Sequence, residues 1–332
     1  MKNLSASLFF VLLALAAQLA SAQTIRRVNN TGITGANIYA DLAAAQTAAS
    51  NGDIIQVEPS TTAYAGLNVT KQLTIVGPGY FLAENQPPTL QASPITATVG
   101  SFDFQAGSAG SSVAGIVCTG VMYVRVNNIT IQRCLMQGNY IYLGYGGLTT
   151  GAVIRQNYAL GVQESSVSTN SLITNNMFVN GQVNLPSGGN TGEFSNNTVI
   201  NMGVSLNSFT ARNNYFGGNV TFTANTYWSY NLFSLTTLPT AGTASNNTAN
   251  VPASSVFVLS PGSQFDGWYK LKTGTNPATG GGQGGVDIGA TGSATGYGYH
   301  FGGLPAIPAI YQLNQAVSDN TLNVTVGTRS NN

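Results

Sequence analysis

Between Gly151 and Asn247 one short phrase returns with drift, and few folds accommodate it: Ile154-Arg-Gln-Asn157, Ile173-Thr-Asn-Asn176, Phe194-Ser-Asn-Asn197, Ala211-Arg-Asn-Asn214 and Trp228-Ser-Tyr-Asn231. Successive final asparagines lie 19, 21, 17 and 17 residues apart, and a weaker copy, Ala244-Ser-Asn-Asn247, follows 16 later. A period near 20 residues is too short for a self-sufficient unit. It suits one coil of a stacked array, which buries its apolar side only against its neighbours.

Aligned on the final asparagine, two columns are apolar: Ile154, Ile173, Phe194, Ala211 and Trp228 before it, and Ala159, Phe178, Val199, Phe216 and Phe233 after it. A second strand follows in Val183-Asn-Leu185, Val204-Ser-Leu206 and Val220-Thr-Phe222, where strict alternation puts the apolar residues inside. Ala211 one repeat before Trp228 is the small-beside-large pairing that a dense core requires. Asn157, Asn176, Asn197, Asn214 and Asn231 are expected to form a ladder, each amide bonding the next, with Asn tolerating a left-handed turn there. Gly161, Gly181, Gly203 and Gly217 would make a second corner. Ile131-Gln-Arg-Cys134 fits the phrase with cysteine in the ladder position. Leucine-rich repeats share the period, but their leucine lattice is absent, and the long alternating segments of a transmembrane barrel are missing too.

At the front, Ile38 to Ser50 is alanine-rich with helical spacing and stops at Asn51-Gly52-Asp53, which predicts a capping helix. Ile54-Ile-Gln-Val57, Leu67-Asn-Val69 and Leu73-Thr-Ile-Val76 then read as strands bounded by breakers. Residues 80 to 112 read as irregular coils or an inserted loop. This opening, with Tyr64 and Val69-Thr-Lys71-Gln-Leu-Thr-Ile-Val-Gly77, resembles that of secreted bacterial right-handed parallel β-helix proteins of the pectin-lyase-like fold. Asp287-Ile288-Gly289-Ala290 is similar to the closing phrase of the same proteins. The expected architecture is all-β: a right-handed parallel β-helix with an N-terminal capping helix and a C-terminal β-hairpin. Residues 23–293 would be the β-helix domain and 294–332 a linker and hairpin, the hairpin reading from Ile310-Tyr-Gln-Leu313 and Leu322-Asn-Val-Thr-Val326 around Ser318-Asp-Asn.

Lys2, the apolar run Leu8 to Leu19 and Ala20-Ser21-Ala22 have the layout of an export signal over residues 1–22, so the mature chain is expected to be secreted and to start near Gln23. No later run is long enough to span a membrane. Charged residues make up only 6% of the chain and the formal net charge is +1, which removes any electrostatic case for nucleic acid. Cys118 and Cys134, about one repeat apart, would lie on neighbouring coils as either a disulfide or two buried thiols.

The resemblance implies a polysaccharide lyase or glycoside hydrolase, whose sites need clustered carboxylates with calcium or acid and base roles. Between Gln105 and Ser263 the only carboxylates are Glu164 and Glu193. With Arg155 and Arg212 they are the weak catalytic candidates. His300 is the single histidine, and no metal or cofactor is expected. Tyr140, Tyr142, Tyr145, Tyr158 and Tyr215 are candidates for a sugar-stacking face, each a flat apolar ring with a polar tip. The preferred expectation is a non-catalytic extracellular surface, adhesion or matrix protein that touches glycan, with self-association or partner docking through the hairpin. The alternative is the lyase or hydrolase.

Overall fold

The computed structural model of the chain describes residues 23–85, 90–260, 264–293, 296 and 298–330. The export signal expected over residues 1–22 lies outside them. A parallel β-solenoid runs through the chain as three long sheets, the first of twelve strands and the second and third of eight each. One coil is Ser171–Thr174 in the first sheet, Met177–Val179 in the second and Gln182–Leu185 in the third, followed by a return loop. The strands stay short because a turn-forming residue interrupts the chain at each corner. Pairing is in register, with Ile131, Ile154, Ile173, Phe194, Ala211 and Trp228 in one column facing inward. Phe178, Phe194, Phe216 and Phe233 stack through the core with centroids 6.2, 6.1 and 5.1 Å apart.

The final asparagines line the first corner, completely buried. Each amide nitrogen donates to the next amide oxygen, at 3.0 Å from Asn157 to Asn176, 3.0 Å to Asn197, 3.1 Å to Asn214 and 2.9 Å to Asn231. The same oxygen also accepts the backbone N–H of the preceding rung. This settles donors and acceptors that no water could reach. The left-handed conformation falls one residue earlier than expected, on Gln156, Asn175, Asn196 and Asn213. At the second corner it falls on Asn180 and Asn201. Gly181 is there for a different reason, since a Cβ would stand 2.0 Å from the Leu160 carbonyl oxygen.

The front of the stack is closed by a helix, Leu42–Ala48, shorter than the predicted segment because Ile38–Tyr39 pairs as a strand. Asp41 caps its N-terminus, and Leu42 and Ala45 are buried on the first coils. At its other end the Lys71 ammonium donates to the carbonyls of Gln46, Thr47 and Ala49 at 2.9, 3.0 and 2.6 Å, a cation on the negative pole of the helix. Ile25–Val28 adds a first-sheet strand that the sequence did not announce. Within the stretch read as irregular, Thr98–Val99, Phe102–Phe104 and Ser112–Ala114 are ordinary coil strands.

Cys118 and Cys134 are free thiols, so no disulfide joins the coils. Cys118 pairs across with Met136, two residues beyond Cys134, and this offset puts the two cysteines in different columns. Burial pushes both thiols up to about 12, and they pack as small hydrophobes.

Beyond the last first-sheet strand, Thr243–Ser245, the described residues between 251 and 304 turn back and run along the outside of the second sheet. There Met177, Ile200, Tyr215 and Leu232 pack against Val256, Phe257, Tyr269 and Ile288 as a second core. The second sheet is thus buried on both faces. The chain ends in an antiparallel hairpin, Ala309–Ser318 with Thr321–Arg329.

Candidate functional site

The outer face of the third sheet carries several aromatic rings and a charged pair together. Reading across its strands, the outward column is Asn68, Asp103, Tyr123, Tyr142, Gln163 and Asn184. Tyr123 and Tyr142 occupy adjacent rungs, with ring centroids 5.6 Å apart. Tyr140 meets Tyr142 edge to face at 6.3 Å. Tyr145 belongs to the following loop, where Gly144 and Gly146 take φ values of 64° and 95° and fold the chain back over the preceding coil. At Gly144 a Cβ would stand 2.5 Å from the Ser166 carbonyl oxygen, so the turn requires glycine. The turn lets the Tyr145 N–H donate to Val124 at 3.0 Å and sets its ring 4.1 Å from that of Tyr123.

Arg125 locks this group. Its Nε and Nη2 donate to the two oxygens of Asp103 at 2.6 and 3.0 Å, a bidentate pair. The guanidinium carbon also lies 4.4 Å from the Tyr145 ring centre and 5.4 Å from that of Tyr123. The bond to Asp103 holds Arg125 above its ordinary pKa against the opposing effect of burial. Burial and the neighbouring Tyr145 push the Tyr123 phenol up, which keeps it a protonated donor. The result is a half-buried, electrically balanced patch of rings and hydroxyls, with Gln163 and Asn184 continuing it along the solenoid axis.

Of the five tyrosines named from the sequence, Tyr140, Tyr142 and Tyr145 meet here. Tyr158 and Tyr215 do not: both are on the second sheet under the C-terminal cover. Tyr215 is completely buried, donates to the Val251 carbonyl at 3.0 Å and packs on Phe257. Tyr158 packs edge-on against Phe81 at 5.3 Å. Tyr123, Arg125 and Asp103 were missed. The signal for them lay in strand alternation, since Met122 and Val124 face inward and so send Tyr123 outward.

The four catalytic candidates are not brought together. Arg155, Glu193 and Arg212 are on the first sheet, whereas Glu164 is on the third. Arg212 is paired with Glu193 at 2.8 Å, and Arg155 donates to the Gln132 amide at 2.8 Å. Glu164 shares the inward column of Leu143, and its carboxylate accepts the Ser187 N–H and the Asn190 amide of the next return loop. It is therefore a loop anchor. A fully buried carboxylate, Asp266, is held by Tyr299 at 3.1 Å and the Gly302 N–H at 2.7 Å within the cover, and by the Asn85 amide at 2.8 Å. Burial raises its pKa, with those donors opposing. Among the described residues no three His, Cys, Asp or Glu side chains gather as a metal site, and no helix is long and apolar enough to cross a membrane.

No protein-family model matches the sequence, and no curated protein sequence does either. Among solved structures, the crystal structure of pectate lyase Pel9A aligns over 81% of this chain and 96% of that one, at 13% identity and a TM-score of 0.35. A likeness that loose assigns no role to any residue of this chain.

Proposed function

We propose that this is an exported, non-catalytic β-helix protein that binds polysaccharide outside the cell through the outer face of its third sheet. The observation that carries the reading is the cluster of Tyr123, Tyr140, Tyr142 and Tyr145 around the Arg125–Asp103 pair. Tyrosine rings offer apolar faces to the C–H surface of a sugar while their hydroxyls, with Gln163 and Asn184, supply hydrogen bonds. Because Arg125 and Asp103 neutralise one another, the face favours an uncharged glycan over a uronate. Export rests on the signal-like first 22 residues. The enzyme reading lacks support at its centre, since Arg212 and Glu193 are spent on one another on the first sheet while Glu164 anchors a return loop on the third.

Binding to immobilised neutral β-glucans and xylans, with pectate and alginate as charged comparisons, tests the reading. The expected outcome is retention on a neutral polymer and about tenfold weaker binding for Tyr142→Ala, equivalent to about 1.4 kcal/mol. Absence of retention on every polymer, or equal retention of the variant, would remove the proposal. Release of unsaturated or reducing ends from any of them would revive the enzyme reading.

A further inference from the structure

The hairpin presents a feature that the glycan reading does not use. Its pairing sets Ile310 opposite Thr328, Leu313 opposite Val326, Gln315 opposite Val324 and Val317 opposite Leu322, so one face is aliphatic except for Gln315 and Thr328. The other face pairs Asn314 with Thr325, Ala316 with Asn323 and Ser318 with Thr321. A bulge between Ile310 and Gln312 keeps Ile310 on the aliphatic side with Leu313. This face is left to solvent: Val317 is 75% exposed and Leu322 59%. The hairpin is tied to the body near its base, by Ala92 N–H to Ile310 at 2.8 Å and Arg329 to the Leu90 carbonyl at 2.6 Å.

An isolated two-stranded hairpin is marginal in water, and a bare aliphatic face makes it worse. We infer that the occupant of this face is the same face of a second copy of this chain, the two hairpins stacking about a two-fold axis. Three observations favour a copy over a foreign partner. First, the face is self-complementary, an unbranched strip of similar side chains with no projecting aromatic anchor, as an isologous contact requires. Second, between Ala309 and Ser330 the only charged residues are Asp319 at the turn and Arg329 at the base, so no charge pattern selects a foreign protein. Third, the extent fits. Strands of nine and ten residues at about 3.4 Å per residue make a strip about 30 Å long, and covering it on both copies removes roughly 1,000 Å², near the lower limit for a specific interface. The strip also continues into a groove of about 380 Å³ at the hairpin base, where Leu313 and Ile310 meet Ile307, Pro305 and Pro78. That groove extends the contact onto the solenoid.

Light scattering behind size exclusion tests this with the whole protein, the Val324→Lys variant and, as a control on the polar face, Asn323→Lys. The expected result is twice the monomer mass for wild type and Asn323→Lys, and monomer for Val324→Lys with at least tenfold weaker association. Far-ultraviolet circular dichroism should be unchanged, because the hairpin lies outside the solenoid. Wild type that stays monomeric at about 100 µM overturns the inference, whatever else it binds. So does equal loss of association in both variants. Monomer that instead co-sediments with phosphatidylcholine vesicles assigns the face to a bilayer and likewise overturns it.

Discussion

The outer faces of the second and third sheets differ in a way that composition hides. Both carry tyrosines at outward register positions: Tyr158 and Tyr215 on the second sheet, Tyr123 and Tyr142 on the third. On the second sheet the same column holds Val117, Leu135, Met177 and Leu232, and the C-terminal segment seals it. On the third sheet the column holds Asp103, Gln163 and Asn184, and the tyrosines stay half-buried against one another and Arg125. A tyrosine on a solenoid is therefore a surface group or a core group according to its neighbours along the column. The cover packs on those neighbours as an apolar strip broken at Thr198, whose hydroxyl accepts the Ala290 N–H at 2.9 Å, and the corner residues hold it in place. Asn175 donates to Ala290 at 2.8 Å, Gln156 to Gly298 at 2.6 Å and Arg133 to Leu304 at 2.8 Å, one coil after another.

The largest test of this contrast removes the cover. A chain ending at residue 250 exposes Met177, Ile200, Tyr215 and Leu232 together, at about 1.5–3 kcal/mol for each large apolar side chain. It should be recovered largely as aggregate, while the hairpin-only truncation at residue 308 stays soluble. A soluble, monomeric 1–250 chain would mean that the second sheet needs no cover. Next in size is Asn197→Ala, which strands the Asn176 N–H in the core and removes one donor each from the Asn214 amide oxygen and the Ile173 carbonyl. At about 1–3 kcal/mol for the buried unsatisfied group and about 1 kcal/mol for a lost bond, urea unfolding should show a loss of about 3 kcal/mol.

The cover also makes stability depend on pH. The Asp266 pKa is raised in the fold, so the folded state holds its proton more tightly than the unfolded chain. Its contribution is fully present below the unfolded value of about 3.9 and is lost as pH rises through the higher folded value. Asp53 acts in the opposite sense. Burial is outweighed there by the Ser50 and Thr24 N–H groups and by Arg26, so its folded pKa is depressed and its contribution is lost as pH falls. Fluorescence of Trp268, which lies in the cover, should therefore report tighter docking in mild acid, and Asp266→Asn should flatten that response. A steeper response in the variant would reject the assignment. A smaller effect is expected for Tyr215→Phe, which loses only the bond to Val251, at about 1 kcal/mol. Tyr142→Phe should leave thermal stability unaltered.

Much of the stack was legible because its physics is local and repeated. Apolar columns, turn residues and a constant period each point to the same coil, and the inward positions of Ile154, Phe178 and Phe194 follow from alternation alone. The cover was not legible, because residues 251–304 carry no period and their partners lie as far as 219 positions away, as in the bond between the Tyr80 and Tyr299 hydroxyls. The residue before each ladder position was overlooked for a related reason. Arg133, Gln156, Asn175, Asn196 and Asn213 share a backbone conformation rather than a side-chain type, and conformation leaves a weaker trace in sequence. Similarly, Tyr140, Tyr142 and Tyr145 could be grouped by nearness in the chain, whereas Tyr123 joins them only through the stacking of coils. The apolar residues beside Tyr158 and Tyr215 in their column were the available sign that those two would be covered.

Tyrosine nitration mapped by mass spectrometry, with and without a bound neutral polysaccharide, puts the contrast between the two faces to its most direct test. Tyr140 and Tyr142 should react in the free protein and be protected by the polymer, while Tyr215 and Tyr269 remain unmodified in both conditions. Reaction of Tyr215 at the rate of Tyr142, or reactivity of the third-sheet tyrosines that the polymer leaves unchanged, would contradict the account.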